Sequence, residues 1–168
     1  MPNSSSSSVD DPLFESGHRI FANKDLLKIG HVPKADRIVG RDEEISKLAK
    51  RLNGAVHGYS PENVMIYGKT GTGKSLVPKH VCQRAQNAAQ DGVEIGKAYI
   101  DCAEDNTETQ AVSSLAAKLN NESSTGISVP HTGLSTSKYY KLLWKTLDAQ
   151  FDSVIIILDE IDLIENRR

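Results

Sequence analysis

The amino-acid sequence predicts an α/β fold in which a parallel sheet is flanked by helices. Three short apolar segments, residues 63–67, 98–102 and 154–158, have the length of buried strands and are bounded by polar or turn residues. Helical patterns precede the first segment and separate the others. Strands that alternate with helices favour parallel pairing, and such sheets bind ligands outside the carboxyl ends of their strands.

Length and composition limit the possible classes of protein. The 168 residues suffice for one domain with its own core. A formal net charge of -2 gives no global field that points to nucleic acid, a membrane or an acidic partner. Two cysteines cannot build a disulfide framework, and neither they nor the five histidines have metal-ligand spacing. With no apolar run near the roughly 20 residues that span a bilayer and no signal peptide, we expect a soluble cytoplasmic protein.

We divide the chain into three parts. Residues 1–12 form a serine-rich tail that cannot bury enough apolar surface to offset the entropy of ordering, so we expect disorder there. Residues 13–41 are predicted to be a packed linker with little regular structure. Residues 42–168 are the predicted core, which opens with a helix capped by Asp42. One face of this helix carries apolar residues, namely Ile45, Leu48, Ala49, Leu52 and Val56.

The middle elements follow in order. The segment 63–67, NVMIY, is apolar on both sides and predicts a buried strand, and a glycine-rich loop and a helix come after it. The segment 98–102, AYIDC, predicts the second strand. Thr107 with Gln110 three residues on is a capping box. It opens a helix whose apolar face comprises Val112, Leu115, Ala116 and Leu119.

The last helix and strand complete the pattern after a polar loop over residues 120–135. The helix over residues 136–150 has Tyr139, Leu143 and Leu147 in register. Its apolar stripe is widened by Tyr140, Leu142 and Trp144. Residues 154–158 then predict a strand that is buried on both faces.

Residues 68–75 read GKTGTGKS, a complete phosphate-binding motif placed between a predicted strand and a helix. Its glycines let consecutive backbone N–H groups turn inward as an anion-binding nest at the start of the helix. Lys74 would pair with the β- and γ-phosphates, and the Ser75 hydroxyl is a ligand for Mg²⁺. A flexible turn is the plain alternative, but the context disfavours it. The candidate nucleotide-binding residues are Gly68, Lys69, Thr70, Gly71, Thr72, Gly73, Lys74 and Ser75.

The strand over residues 154–158 ends in two acids, Asp159 and Glu160. Beside a phosphate loop, Asp159 would bind Mg²⁺, and Glu160 would polarise the attacking water for in-line phosphoryl transfer. Glu160 and Lys74 are therefore the candidate catalytic residues. Acids that merely cap the next turn are the alternative interpretation, which becomes weak once GKTGTGKS is present.

GKTGTGKS, LDEID and the upstream DRIVGRDEEI together resemble the AAA+ ATPases. Within them the chain is similar to the archaeal origin-recognition and replication-initiator family over residues 14–164. The resemblance implies the AAA+ fold of P-loop NTPases, ATP and Mg²⁺ as cofactors, and a role in DNA replication. It also implies that Ile38, Val39 and Arg41 lie by the adenine base. Residues 128–140 resemble the region that contacts origin DNA in these proteins, although an ordinary polar loop would explain them equally well.

The chain departs from this family in two respects. Pro78 falls in the helix after the phosphate loop, where it lacks an amide donor and presses on the carbonyl of Lys74, so we expect a displaced helix start or a kink. We also expect the sensor strand, arginine finger, lid and winged helix of the family to be missing. In the family the sensor strand separates the strand before the phosphate loop from the strand that ends in Asp159. These two strands would then face each other across an open slot or pair directly.

The resemblance therefore implies a truncated ATP-binding core of a replication initiator that hydrolyses ATP poorly, with origin-DNA binding weak or absent. We expect poor hydrolysis because an arginine finger is worth about 10³ to 10⁵ in rate in related phosphoryl-transfer enzymes. Two alternatives stay open. One is a different AAA+ machine, such as a clamp loader or a signalling ATPase, and the other is a non-enzymatic remnant that docks on a full-length initiator.

Overall fold

The computed structural model describes residue 38, residues 40–69 and residues 71–165. The predicted tail, nearly all of the predicted linker, Val39 and Thr70 lie outside these residues. The helices and strands are α1 (Asp42–Val56), α2 (Leu76–Asn87), β1 (Ile95–Asp101), α3 (Glu108–Leu119), α4 (Glu122–Thr125), α5 (Thr136–Gln150) and β2 (Ser153–Asp159), followed by a 3-10 turn at Ile161–Leu163.

The sheet of the described residues consists of β1 and β2, which pair in parallel. The register runs from Ile95 opposite Ser153 to Asp101 opposite Asp159, so the carboxyl ends of both strands are level. The two strands predicted at residues 98–102 and 154–158 are therefore confirmed, with bounds that differ by a few residues. Asp159 lies at the edge of the sheet where a parallel α/β fold places its ligands.

Helices cover both faces of this small sheet, as the predicted α/β fold class requires. On one face α3 and α5 pack around Ala98, Ile100 and Cys102. On the other face α1 and α2 pack around Ile95 and Ile155. The two faces alternate along each strand because successive side chains of a strand point to opposite sides.

The strand predicted at residues 63–67 is wrong. These residues have no regular secondary structure, and Met65 and Tyr67 are 81% and 89% exposed. An apolar segment becomes a strand only when a neighbour supplies hydrogen-bond partners for its backbone. No strand of the described residues pairs with this segment. Of the two arrangements expected from the sequence, direct pairing with the strand that ends in Asp159 is therefore not observed.

The expectation that β2 is buried on both faces is also wrong. Ile155 is buried on the side of α1 and α2, whereas Ile156 and Leu158 on the opposite side are 38% and 37% exposed. On that opposite side α3 packs mainly against β1, which leaves part of β2 open. The apolar run therefore indicates a strand, but not one that is covered on both sides.

The starts of two helices differ in how well the sequence predicted them. Thr107 caps α3, because its hydroxyl accepts a hydrogen bond from the Gln110 amide at 3.3 Å. The prediction of Asp42 as a cap is wrong by one residue, since Arg41 is the N-cap and Asp42 is the first residue of α1. Asp42 still lies where a carboxylate interacts favourably with the positive end of the helix dipole.

The amphipathic helices mostly bury the faces that their spacing predicts. The buried predicted residues of α1 and α5 are Leu48, Leu52, Tyr139, Leu143 and Leu147. Ala49 is exposed, and Tyr140 and Trp144 do not widen the buried stripe, because Trp144 is 60% exposed and Tyr140 is exposed as well. The predicted polar loop contains the short helix α4. No helix of the described residues is long and apolar enough to cross a membrane.

Pro78 displaces the start of α2, as predicted. The helix begins at Leu76 with Ser75 as its N-cap, which puts Pro78 at the third helical position. A proline is tolerated in this first turn because the amide that it lacks would have no partner within the helix. The phosphate loop therefore ends in a turn that precedes the regular helix. Cys82 of α2 and Cys102 after β1 are both buried and free.

Candidate functional site

The phosphate loop folds around one backbone carbonyl. Lys74 Nζ donates a hydrogen bond to the carbonyl oxygen of Lys69 at 3.0 Å, and the Thr72 hydroxyl donates to the same oxygen at 2.7 Å. Gly71 and Gly73 have φ of 79° and 85°, in the left-handed region that glycine adopts without a steric cost. The loop thus keeps the Lys74 ammonium within the turn, where a phosphate would meet it.

The loop runs directly into the N-terminus of α2. The Gly73 carbonyl accepts hydrogen bonds from the amides of Leu76 and Val77 at 3.1 and 3.0 Å. Ser75 is the N-cap, but its hydroxyl makes no capping bond. It lies near the Asp159 carboxylate and lowers the pKa of that group, so the loop reaches the end of β2. The two predicted halves of the site therefore meet.

Arg41 lies close to the loop. A Cβ atom placed on Gly73 would be 3.8 Å from Arg41 Nε, and Arg41 also donates to Glu44 at 3.0 Å. The resemblance puts Arg41 and Ile38 by the adenine base, and Ile38 is buried. The position of Arg41 suits a contact with phosphate at least as well, because its guanidinium adjoins the turn that carries Lys74.

A cleft of about 850 Å³ opens between α1 and the phosphate loop. Its charged lining is mainly basic and comprises Arg41, Lys47, Lys50, Arg51 and Lys74, with Glu44 among them. Asp159 does not line this cleft and is connected to it through the loop and Ser75. Sequence reasoning missed the three basic residues of α1, although their spacing of three and four residues indicates a shared helix face.

Asp159 is held from three directions at the end of β2. The Tyr99 hydroxyl donates to its Oδ2 at 2.8 Å, and the Ser75 hydroxyl and the Glu160 amide lie near enough to lower its pKa by hydrogen bonding. Burial raises the pKa of Asp159, but these hydrogen bonds and the nearby charge of Lys79 outweigh burial and leave the pKa below its usual value. The carboxylate is therefore ionised at neutral pH, as a metal ligand must be.

Glu160 adopts a backbone conformation that is rare for a residue with a side chain. Its φ of 51° and ψ of 40° lie in the left-handed region, and no other non-glycine residue among those described has a positive φ. Its carbonyl accepts a hydrogen bond from the Leu163 amide at 2.9 Å and so starts the 3-10 turn. The chain turns here, directly after Asp159, and leaves Glu160 exposed.

The residues present fit a magnesium ion. The Ser75 hydroxyl lies near enough to Asp159 to lower its pKa, so one ion could reach a hydroxyl and a carboxylate oxygen, the ligand type that Mg²⁺ prefers. Within the described part of the chain, no group of three or more His, Cys, Asp or Glu residues could hold a metal. An ion at this position would take its other ligands from phosphate oxygens and water, as Mg²⁺ usually does.

Tyr99 and Lys79 also belong to the site, and sequence reasoning missed both. Lys79 Nζ lies 3.6 Å from the centroid of the Tyr99 ring, and Tyr99 contacts Asp159. A weak signal was available, because Tyr99 sits near the end of a strand predicted to share the sheet with the strand that ends in Asp159. The sequence does not give the register of β1 against β2, and it is this register that brings Tyr99 into contact with Asp159.

Comparisons with known proteins confirm the predicted resemblance. The model of the AAA ATPase domain family matches residues 37–166. ORC1-type DNA replication protein 2 of Halobacterium salinarum is 94% identical over 165 residues, which are 98% of this chain and 62% of that protein. ORC1-type DNA replication protein 9 of Haloarcula marismortui is 44% identical over 162 residues, which are 93% of this chain and 39% of that protein.

A solved structure also matches. The Aeropyrum pernix ORC1 protein in complex with DNA superposes with a TM-score of 0.65 at 35% identity, over 77% of this chain and 32% of that one. The chain thus spans less than two thirds of the length of each of these relatives. Because the family match covers residues 37–166, the chain belongs to the AAA ATPase domain family, with ORC1-type DNA replication proteins as its relatives there.

Proposed function

We propose that this chain binds ATP together with Mg²⁺ and provides the nucleotide-binding part of a DNA replication initiator. The observation that carries the proposal is the chain of contacts from α2 through Lys79 and Tyr99 to Asp159, because it brings the helix that follows the phosphate loop and the acidic strand end to one place. The initiator role is supported by the ORC1-type relatives, which favour it over a clamp loader or a signalling ATPase.

Each part of the loop has a distinct role in the proposal. The backbone amides of the loop and the N-terminus of α2 would bind the phosphate oxygens. Lys74 would leave the carbonyl of Lys69, 3.0 Å away, and pair with the β- and γ-phosphates. Arg41 and the basic residues of α1 would add positive charge along the adjoining cleft. The cleft has the concave form and the size of a small-molecule site.

Magnesium, when bound, would neutralise charge on the β- and γ-phosphates. Ser75 and Asp159 would hold it, and Glu160 would orient and polarise the attacking water. The left-handed backbone of Glu160 supports a special role, since strained conformations cluster at functional sites. Residues 128–140 resemble the region that contacts DNA in the family and expose Lys138, but we expect the binding of origin DNA by this chain to be weak or absent.

Isothermal titration of the purified chain with ATP in MgCl2 tests the proposal. We expect saturable binding by the wild type and a loss of affinity of roughly 10- to 100-fold in Lys74→Ala, the value of one hydrogen bond to a charged group. The matched control is Lys145→Ala, which removes an exposed lysine of α5 and should bind like the wild type. Wild-type protein without measurable binding, or Lys74→Ala with unchanged affinity, contradicts the proposal.

A further inference from the structure

A tyrosine on the neighbouring strand holds the candidate metal ligand. The Tyr99 hydroxyl donates a 2.8 Å hydrogen bond to Oδ2 of Asp159. The register pairs Tyr99 with Ile157, two residues before Asp159, so the two side chains lie on the same face of the sheet. Diagonal neighbours of this kind are within the reach of an aromatic side chain. The contact thus follows from the parallel pairing itself.

The Tyr99 ring is itself fixed on its other side. Lys79 of α2 places its ammonium 3.6 Å from the ring centroid, which is a cation–π contact. Lys118 of α3 donates to the Tyr99 carbonyl at 2.8 Å. At the start of α2, one turn of helix separates Ser75, which lies near Asp159, from Lys79, which contacts Tyr99. The start of α2, Tyr99 and Asp159 therefore all lie next to one another.

The Tyr99 hydroxyl can interact with the Asp159 carboxylate only as a hydrogen-bond donor. A phenol carries its proton at neutral pH, because its ordinary pKa is about 10. A protonated phenol directs its hydrogen at one carboxylate oxygen and so limits how the carboxylate can rotate.

We propose that Tyr99 is a positioning residue for magnesium, which acts by holding Oδ2 of Asp159 so that the remaining lone pairs of the carboxylate are available to the ion. This inference rests on the proposed function, since it presupposes that Ser75 and Asp159 hold Mg²⁺. Tyr99 contacts neither the ion nor the nucleotide in this arrangement. Removing the partner of a metal ligand typically lowers metal affinity by about 10- to 100-fold.

Tyr99→Phe is the variant that isolates the hydroxyl. It keeps the ring, its packing and its contact with Lys79, so the fold should be retained. Tyr140→Phe is a matched control, because the Tyr140 hydroxyl likewise donates to a carboxylate, Glu108 Oε1 at 3.0 Å, between α5 and α3. Both variants and the wild type are titrated with ATP in MgCl2 and, separately, in EDTA.

A merely structural tyrosine and a positioning tyrosine give different results. We expect Tyr99→Phe to bind ATP in EDTA as the wild type does, but to lose about 10-fold in affinity in MgCl2. Tyr140→Phe should match the wild type in both buffers. Equal affinities of Tyr99→Phe and wild type in MgCl2, or an equal loss in both buffers, overturn the inference while the proposed function stands. A wild type that binds no ATP in either buffer overturns both.

A double-mutant cycle provides a second, independent readout. If Tyr99 acts through Asp159, then Tyr99→Phe has no further effect on the magnesium dependence of ATP binding once Asp159→Asn has removed the charged carboxylate. Additive losses in the double variant would show that Tyr99 influences the site by another route, and the inference would then be wrong.

Discussion

The two segments that lead into the candidate site are held in opposite ways. β2, which ends in Asp159, is paired along its length with β1 and buries Ile155. Residues 63–67, which lead into the phosphate loop, have no strand partner among the described residues and expose Met65 and Tyr67. Both segments are apolar, so the difference arises from what each one packs against. The site thus combines Asp159, at the end of a paired strand, with a phosphate loop that follows an exposed segment without a strand partner.

Truncation of one apolar side chain in each region tests this comparison and has the largest expected effect. Ile100 is fully buried in β1, so Ile100→Ala should lower the free energy of unfolding by about 3 kcal/mol. Met65→Ala is the matched control and should change the free energy of unfolding by less than about 0.5 kcal/mol, because Met65 is exposed. Urea denaturation measures both variants, and comparable losses would refute the comparison.

The same comparison explains which elements could be predicted from the sequence. α3 and α5 were predictable because helix spacing and the Thr107 cap are local properties of the chain. The strand at residues 63–67 was not, because strand formation depends on a partner whose presence five residues cannot reveal. Lys74 and Asp159 carry recognisable chemistry in short motifs. Tyr99 does not, and it joins the site only through the register of two strands that are distant in the sequence.

A glycine in the paired region sharpens the comparison with a smaller effect. A Cβ atom on Gly96 of β1 would lie 2.9 Å from the ring of Phe151, so Gly96→Ala forces the ring or the strand to move. We expect the free energy of unfolding to fall by about 1–3 kcal/mol, the usual cost of overpacking.

Gly54→Ala is the control for this substitution, because a Cβ atom there meets only ordinary contacts, the nearest at 3.4 Å. Gly54 lies in α1, where alanine should raise the free energy of unfolding by about 0.5–1 kcal/mol. Urea denaturation measures both variants. If both substitutions change the free energy of unfolding in the same direction, Gly96 is not closely packed against Phe151.

The smallest expected effect concerns the turn that follows β2. Glu160 has a φ of 51°, a conformation that costs a residue with a side chain roughly 1–2 kcal/mol but costs glycine little. Because glycine also loses more entropy on folding, we expect Glu160→Gly to be more stable than Glu160→Ala by about 0.5–1 kcal/mol. Both variants lack the carboxylate, so their difference in urea denaturation isolates the backbone.

The order should reverse at Asp162, which lies in the 3-10 turn and has no positive φ. There the alanine variant should be more stable than the glycine variant, because only the entropy of glycine remains. If alanine is favoured at both positions, the left-handed conformation of Glu160 stores no strain. If the order does reverse, the chain retains a costly backbone at the residue proposed to polarise water, although a glycine there would be more favourable for folding. Selection for the carboxylate is then the physical explanation of the strain.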